Sequence, residues 1–247
     1  MAVIGIMDSG SGGLSVFREI RKALPGERFI YYADNANCPY GEKTPEFIIG
    51  RCRAITDLFL SKGVEIMVLA CNTATAAAIA TLRAEYRIPF IGMEPAVKPA
   101  ALGTKSGTIG VLATAGTLKA SKYLNTRGHF EDDVRIVEHV GEGFVELVEN
   151  VELDGSHAEE VVRKSLEPLL DAGADTIVLG CTHYPFLLPL MQKIAGDGVR
   201  FIDPAPAVTR QLIKVMEENH ITLSQSEPVV ELISSGPGDS VRRIAGI

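Results

Sequence analysis

The stretch that decides the fold is VEIMVLACNTATAAAIATLRAEYRIPFIGMEPAV, residues 64–97, because the chain contains its pattern twice. The second copy is ADTIVLGCTHYPFLLPLMQKIAGDGVRFIDPAPAV, residues 174–208. It sets Cys181 over Cys71 and, after one inserted residue, repeats the second apolar run and the final Pro-Ala-Val. Each copy opens with a run that is apolar on both faces, which is typical of a parallel strand covered by helices. The repeat therefore predicts two similar α/β halves.

Apolar strand patterns alternate with longer helical patterns along the rest of the chain. The sequence predicts strands at 2–7, 28–33, 65–70, 88–92, 107–112, 134–138, 175–180 and 199–202. It predicts helices at 44–62, 73–86, 156–172 and 185–195. This alternation indicates the α/β class, with a mostly parallel sheet flanked by helices in each half. We expect the halves to be related by a pseudo-twofold axis, with the active site in the cleft between them.

The end of the chain has no counterpart at the end of the first half. It contains a helical pattern at 209–219, an apolar run at 229–233 and a last helical pattern at 238–245. We expect this segment to pack back on the first half. A weaker match of residues 5–9 to 110–114 places the start of the second half near residue 96. The predicted domains are 1–95 plus 208–247 and 96–207.

The composition restricts the classes of function. The chain has 247 residues, a net charge of −7 and ordinary fractions of hydrophobic (46%) and charged (22%) residues. An acidic chain is a poor general binder of nucleic acid, which needs a basic face. No segment approaches the roughly 18 consecutive apolar residues of a membrane span. The first residues carry no basic leader pattern. We therefore expect a cytoplasmic protein with neither nucleic acid nor membrane as partner.

Four short polar segments follow predicted strands, two in each half. They are Asp8-Ser9-Gly10, Cys71-Asn72-Thr73, Thr114-Ala115-Gly116-Thr117 and Cys181-Thr182-His183. In open parallel sheets, ligands bind beyond the carboxyl ends of the strands. If the halves are related by a twofold axis, Cys71 and Cys181 face one another across a single cleft.

Two opposed thiols suit a reaction that inverts the configuration of a carbon. One group removes a proton from one face, and the other returns a proton to the opposite face. We expect each cysteine to precede a helix, whose N-terminus would favour the thiolate. Asp8 and His183 are placed to tune protons at Cys71 and Cys181, respectively. The side chains of Asn72, Thr73 and Thr182 can hydrogen-bond a polar substrate.

Simpler interpretations apply to the other candidate residues. A single cysteine at a strand end is more often a packing residue, and only the matched positions favour function. Cys38 and Cys52 have no matched partner and are interpreted as structural. The segment Gly10–Gly13 fits neither glycine-rich nucleotide motif, and we expect its backbone N–H groups to approach a small ligand. The remaining histidines show no zinc-ligand spacing and are predicted at the surface, without a metal: His129, His139, His157 and His220.

Five motifs together resemble those of the aspartate/glutamate racemase family, and of its glutamate racemases in particular. They are DSGSGGLSV (8–16), DNANCPYG (34–41), ACNTAT (70–75), TAGT (114–117) and GCTHYP (180–185), and the resemblance covers almost the whole chain. It implies a cofactor-independent isomerase that interconverts L- and D-glutamate. It further implies a cytoplasmic homodimer that supplies D-glutamate for peptidoglycan synthesis. The strand-end segments also lack the lysine that pyridoxal phosphate would need.

The resemblance also assigns roles to individual residues. It makes Cys71 the base for the D-isomer and Cys181 the base for the L-isomer, with Asp8 and His183 assisting. The assisting carboxylate matches Glu149, and Glu152 is the alternative. The implied substrate contacts are Ser9, Pro39, Tyr40, Gly41, Asn72, Thr73, Thr114, Thr117 and Thr182.

Three alternative functions stay open from the sequence. The first is a racemase for aspartate or another amino acid, or a related isomerase. The second is a two-lobed binding protein for a small anion, which would have no use for two matched thiols. The third is a Cys-His hydrolase, which would need only one thiol.

Overall fold

The computed structural model describes residues 1–224 and 226–246. Within these residues the strands are β1 (Val3–Asp8), β2 (Arg28–Ala33), β3 (Ile66–Leu69), β4 (Phe90–Gly92), β5 (Thr108–Ala113), β6 (Arg135–Val140), β7 (Thr176–Gly180), β8 (Arg200–Ile202) and β9 (Val229–Ser234). The strands predicted from the sequence are all present. The apolar run predicted at 229–233 forms the additional strand β9.

Helices connect the strands. They are α1 (Leu14–Ala23), α2 (Pro45–Ser61), α3 (Asn72–Glu85), α4 (Val97–Gly103), α5 (Ala115–Leu118), α6 (Ser121–Gly128), α7 (Phe144–Glu149), α8 (Gly155–Asp171), α9 (Leu188–Ala195), α10 (Ala205–Glu218) and α11 (Asp239–Ala245). Short 3-10 helices lie at Asn35–Asn37, Tyr40–Glu42 and Tyr184–Leu187. The predicted helices 44–62, 73–86 and 156–172 are confirmed to within one residue at each end.

The strands form two parallel sheets with one repeated topology. The first sheet has the order β4-β3-β1-β2-β9, and the second has the order β6-β5-β7-β8. If β1 to β4 are matched with β5 to β8, both sheets have the same order and β9 is the one addition. All the strand pairs in both sheets are parallel. The duplication inferred from the two cysteine stretches is therefore confirmed at the level of topology.

The C-terminal segment returns to the first sheet. Strand β9 pairs with β2 in parallel, and helix α10 packs on α1. We call the first sheet with its helices the first half, and the second sheet with its helices the second half. The domain bounds 1–95 plus 208–247 and 96–207 stay a prediction.

Buried apolar residues explain why helix α3 lies close to its sheet. Strand β3 is completely buried, as its uninterrupted apolar run predicts. Helix α3 directs Ala74, Ala78 and Leu82, spaced four residues apart, into the core. The small alanines allow a close approach, which brings the start of α3 to the carboxyl edge of the sheet. Among the described residues, the helices are all too short or too polar to cross a membrane.

Candidate active site

A small cavity lies where the carboxyl ends of β1, β3, β5 and β7 meet. Its volume is about 20 Å³, which is close to the space that one water molecule needs. Most of the predicted site residues line it: Ser9, Pro39, Tyr40, Gly41, Cys71, Asn72, Thr73, Thr114, Cys181, Thr182 and His183. Val145 and Gly180 also line the cavity and were not predicted. Asp8, Thr117 and Glu149 are not part of the lining, but each contacts a residue that is.

Cys71 occupies the N-cap position of helix α3, as the sequence predicts. The backbone N–H of Ala74 donates to its Sγ at 3.4 Å, and Ser9 Oγ lies 3.7 Å from the same sulfur. Burial nevertheless raises the pKa of Cys71 well above its ordinary value, and the nearby charge of Asp8 raises it further. The backbone N–H of the helix N-terminus does lower the pKa, as expected, but burial outweighs it. The thiol is its favoured form in this geometry.

Cys181 follows β7 but does not begin an α-helix, so the expected helix N-terminus is absent at this cysteine. The chain turns instead into the 3-10 helix Tyr184–Leu187 before α9 begins. The N–H of Tyr184 bonds back three residues to the carbonyl of Cys181. Pro185 and Pro189 have no N–H with which to continue an α-helical pattern through this segment. The turn brings His183 Nδ1 to 3.7 Å from Cys181 Sγ.

The carboxylate of Glu149 joins the two halves at the other side of this imidazole. Its Oε1 lies 2.7 Å from His183 Nε2 and accepts hydrogen bonds from the backbone and side chain of Ser11 at 2.7 and 2.9 Å. Its Oε2 accepts from Asn35 Nδ2 at 3.1 Å and from Ser240 Oγ at 2.9 Å. Glu149 ends helix α7 in the second half, whereas Ser11, Asn35 and Ser240 belong to the first.

These contacts shift the pKa values of both partners. Burial alone would raise the pKa of Glu149, but the hydrogen bond and charge of His183, with further hydrogen bonds, lower it to about 2. Burial alone would lower the pKa of His183, but hydrogen bonds to Cys181, Cys38 and Glu149 raise it well above its ordinary value. The pair is therefore an imidazolium beside a carboxylate at neutral pH.

The structure distinguishes Glu149 from its alternative, Glu152. The Oε1 of Glu152 lies 2.8 Å from Nδ1 of His157, an exposed residue outside the cavity lining. Glu149 is thus the carboxylate beside His183. The surface prediction holds for His129, His157 and His220, which are exposed, while His139 on β6 is half-buried.

Asp8 is completely buried at the end of β1 and bonds across the two halves. Its Oδ2 accepts from the N–H of Gly10 at 3.0 Å, and its Oδ1 accepts from Thr182 Oγ1 at 3.2 Å. Burial raises the pKa of Asp8 to about 6, although the charge of His183 opposes the shift. Asp8 can therefore exchange a proton near neutral pH.

Three threonine hydroxyls form a second bridge between the halves. Thr73 Oγ1 lies 3.1 Å from Thr114 Oγ1, which lies 3.0 Å from Thr117 Oγ1. Beside them, the side-chain amide of Asn72 is buried and has no hydrogen-bond partner among the described residues. A buried amide without partners costs roughly 1–3 kcal/mol, so such a group is suited to bind a polar ligand.

The glycine segment contacts the chain's own polar groups, where we expected it to approach a ligand. A Cβ on Gly10 would lie 2.2 Å from Glu149 Oε1, and one on Gly12 would lie 2.3 Å from His183 Nδ1. The missing side chains let the loop pass so close that Ser11 N–H reaches Glu149. Ser11 lies inside the quoted motif DSGSGG and could have been suspected, but no local signal marks Ser240.

Cys38, which the sequence analysis interpreted as structural, does not line the cavity but lies beside Glu149 and His183. Its Sγ, a carboxylate oxygen of Glu149 and a ring nitrogen of His183 all lie within 4.8 Å of one another. Burial raises the pKa of this thiol, against an opposing hydrogen bond with His183. Cys52, by contrast, is fully buried among apolar side chains, as a structural cysteine should be.

An ion pair between buried Asp34 and half-buried Arg51 holds the segment that carries Pro39, Tyr40 and Gly41. Asp34 is completely buried, and Arg51 donates to both of its carboxylate oxygens at 2.8 and 2.9 Å. The hydroxyl of Tyr40 donates to Oδ2 of Asp34 at 2.6 Å. Burial alone would raise the pKa of Asp34, but the hydrogen bonds from Arg51 and Tyr40 lower it. This network positions one wall of the cavity.

Replacing Arg51 with glutamine should lower the free energy of unfolding by about 3 kcal/mol, because it leaves the buried carboxylate of Asp34 without its cation. Arg53 offers a matched control on the same helix, since it pairs with Glu85 at the surface. Arg53→Gln should cost less than about 1 kcal/mol. Urea denaturation of both variants measures the difference. Equal losses would show that the Asp34 pair contributes no more than a surface pair.

Comparison with known proteins identifies the family of the chain. A family model described as Asp/Glu/Hydantoin racemase matches residues 4–212. The glutamate racemase of Stutzerimonas stutzeri is 46% identical over 247 residues, which is 100% of this chain and 93% of that protein. The crystal structure of a glutamate racemase from Bacillus anthracis has a TM-score of 0.88 and 33% identity, and the match covers 99% of this chain and 92% of that one.

A third relative was solved with small molecules bound. The Escherichia coli glutamate racemase, in complex with L-glutamate and the activator UDP-MurNAc-ala, has a TM-score of 0.87 and 32% identity. The match covers 99% of this chain and 94% of that one. Both the repeated fold and the sequence likeness extend over nearly the full length, and the chain therefore belongs to the Asp/Glu/Hydantoin racemase family of isomerases.

Proposed function

We propose that this isomerase interconverts L- and D-glutamate without a cofactor, by proton transfer between the substrate and two cysteines. The observation that carries the proposal is that Cys71 and Cys181, which follow corresponding strands of the two halves, line the same cavity. Relatives that are about 46% identical are glutamate racemases, which favours glutamate over aspartate.

The L-to-D reaction uses the two sulfurs on opposite faces of the α-carbon. The thiolate of Cys181 removes the α-proton, so the C–H bond breaks and an S–H bond forms. The thiol of Cys71 then donates its proton to the other face, so its S–H bond breaks and a new C–H bond forms. The raised pKa of Cys71 suits the donor role in this direction. The D-to-L reaction reverses both steps.

His183 and Glu149 support the charge on Cys181. An imidazolium 3.7 Å from the sulfur stabilises the thiolate, and the carboxylate of Glu149 keeps the ring protonated and oriented. Asp8, with a pKa of about 6, lies close enough for its charge to affect Cys71 and can help to restore that thiol's proton. The two sulfurs thus have different assisting groups: the imidazolium of His183 beside Cys181 and the carboxyl group of Asp8 near Cys71.

Polar groups of the cavity hold the amino acid and stabilise the developing carbanion. The amide of Asn72 has both its donor and acceptor free among the described residues, and Thr73 and Thr182 line the same cavity. The remaining proposed contacts with the substrate are Ser9, Pro39, Tyr40, Gly41, Thr114 and Thr117.

Incubation with each glutamate enantiomer in D₂O, with chelator and no added cofactor, tests the proposal. Two-base chemistry should place solvent deuterium at the α-carbon of the product in both directions, because each product proton comes from an exchangeable thiol. A binding protein would leave the α-hydrogen in place. Faster exchange with aspartate than with glutamate would contradict the choice of substrate. In each experiment, mass spectrometry of the separated enantiomers measures the deuterium at the α-carbon.

The family resemblance extends the proposal to the cell. D-glutamate is a component of peptidoglycan, so the enzyme would supply that synthesis from the cytoplasm. We further propose a homodimer, which sedimentation equilibrium would test by the mass of the purified protein. A mass that stays at 26.5 kDa over the accessible concentrations would exclude it.

A further inference from the structure

We propose that Cys38, Glu149 and His183 form a binding site for a divalent cation such as Zn²⁺, and that the bound ion inhibits the enzyme. Each of the three residues offers one donor atom, and these atoms all lie within 4.8 Å of one another. The ligands come from three distant parts of the chain, at positions 38, 149 and 183, which is why the sequence shows no metal-binding spacing.

The donor set matches the chemistry of zinc. Zinc binds cysteine sulfur at about 2.3 Å, histidine nitrogen at about 2.0–2.1 Å and carboxylate oxygen at about 2.0–2.2 Å. Tetrahedral ligands at these bond lengths stand roughly 3.5 Å apart. The separations in the structure are at most 4.8 Å, so side-chain adjustments of roughly 1 Å complete the geometry. Three protein ligands leave the fourth position for water.

The charges also balance in this buried setting. A dication bound to the thiolate of Cys38 and the carboxylate of Glu149, with a neutral His183, leaves no net charge. Without metal, Oε1 of Glu149 lies 2.7 Å from Nε2 of His183. The ion therefore adds no uncompensated charge to the interior.

Outer contacts already orient two of the three ligands. Ser11, Asn35 and Ser240 hold the carboxylate of Glu149 by hydrogen bonds. On the imidazole, one nitrogen faces Glu149 while Nδ1 faces Cys181. Such outer partners commonly change metal affinity by about 10–100-fold, because they fix the ligand's orientation.

Metal binding has a defined proton balance. The Cys38 S–H bond breaks and a sulfur–metal bond forms, while His183 gives up the proton on its coordinating nitrogen. Both protons pass to solvent, so affinity should rise with pH. If the proposed function is correct, the ion also separates His183 from Glu149 and removes the cation beside Cys181. Inhibition of racemisation therefore rests on the proposed function, whereas binding of the metal does not.

Titration of the substrate-free enzyme with Co²⁺ tests the site by a readout independent of activity. A thiolate ligand gives Co²⁺ an intense charge-transfer absorption, and we expect one ion per chain. Cys38→Ala should remove the thiolate band and weaken binding at least tenfold, whereas the control Cys52→Ala, which removes a buried thiol elsewhere, should keep both. An unchanged titration in Cys38→Ala would overturn the proposal.

Two further outcomes would also overturn it. One is the absence of a thiolate band in the unmodified enzyme. The other is a band that survives in Cys38→Ala but disappears in both Cys71→Ala and Cys181→Ala, since the ion would then lie between the matched cysteines. Zn²⁺ inhibition, measured as the ratio of activities with and without metal in each variant, should follow the Co²⁺ affinities. If the Co²⁺ result holds and Zn²⁺ does not inhibit, the metal site stands and the assisting role of His183 fails.

Discussion

Replacing either Cys71 or Cys181 with alanine is expected to abolish racemisation in both directions. Inversion needs one group to remove the α-proton and another to supply a proton on the opposite face, so neither cysteine can replace the other. General acid–base catalysis by one placed group contributes about 10²–10⁴-fold. We therefore expect kcat to fall by at least about 10³-fold for each variant, measured by the change in optical rotation of L- and D-glutamate.

The chain supplies its own control for this experiment. Cys52→Ala makes the same chemical change in the core, away from the cavity, and should keep kcat within about twofold, although truncating a core side chain lowers stability. A Cys-His hydrolase would keep its activity in Cys71→Ala. Survival of racemisation in either Cys71→Ala or Cys181→Ala would refute two-base chemistry, provided that circular dichroism shows the variant to be folded.

Gly12→Ala is expected to reduce kcat by about 100-fold although it alters no chemical group of the site. The new Cβ would lie 2.3 Å from His183 Nδ1, with the ring's other atoms next in line. The ring must therefore move away from Cys181, from Glu149 or from both. A displacement of about 1 Å in a catalytic group can cost on the order of 10²-fold in rate.

The matched control is Gly50→Ala on helix α2. A Cβ at Gly50 meets nothing within 4 Å among the described residues, and the position is exposed. This variant should keep full activity and gain about 0.5–1 kcal/mol in stability, because alanine favours the helix. If Gly12→Ala keeps normal kcat while folded, the position of the His183 ring does not limit the rate.

Much of the fold could be predicted because the sequence contains an internal repeat, with one copy in each half. Two runs, IMVLA and TIVLG, each followed by a cysteine, were enough to indicate corresponding parallel strands and hence a shared edge for Cys71 and Cys181. Local patterns identify strands well when both faces are buried, because no polar residue interrupts the run. Most of the cavity lining lies in the four polar segments that follow the predicted strands.

The remaining differences from the sequence prediction have separate physical causes. The helix predicted at 185–195 begins only at Leu188, because a 3-10 turn with Pro185 follows Cys181. The helix N-terminus at Cys71 was expected to stabilise a thiolate, but burial outweighs a single N–H group. Ser240 lies 91 positions from Glu149, and no pattern in the last helix indicates their hydrogen bond.

The hydrogen bonds that cross the cleft make the arrangement of the site depend on the relative position of the two halves. Ser11, Asn35 and Ser240 of the first half hold Glu149 of the second, and Thr182 of the second half donates to Asp8 of the first. A movement that separated the halves would therefore remove the partners of both carboxylates at once. The orientation of His183 and the environment of Asp8 are thus properties of the closed cleft and not of either half alone.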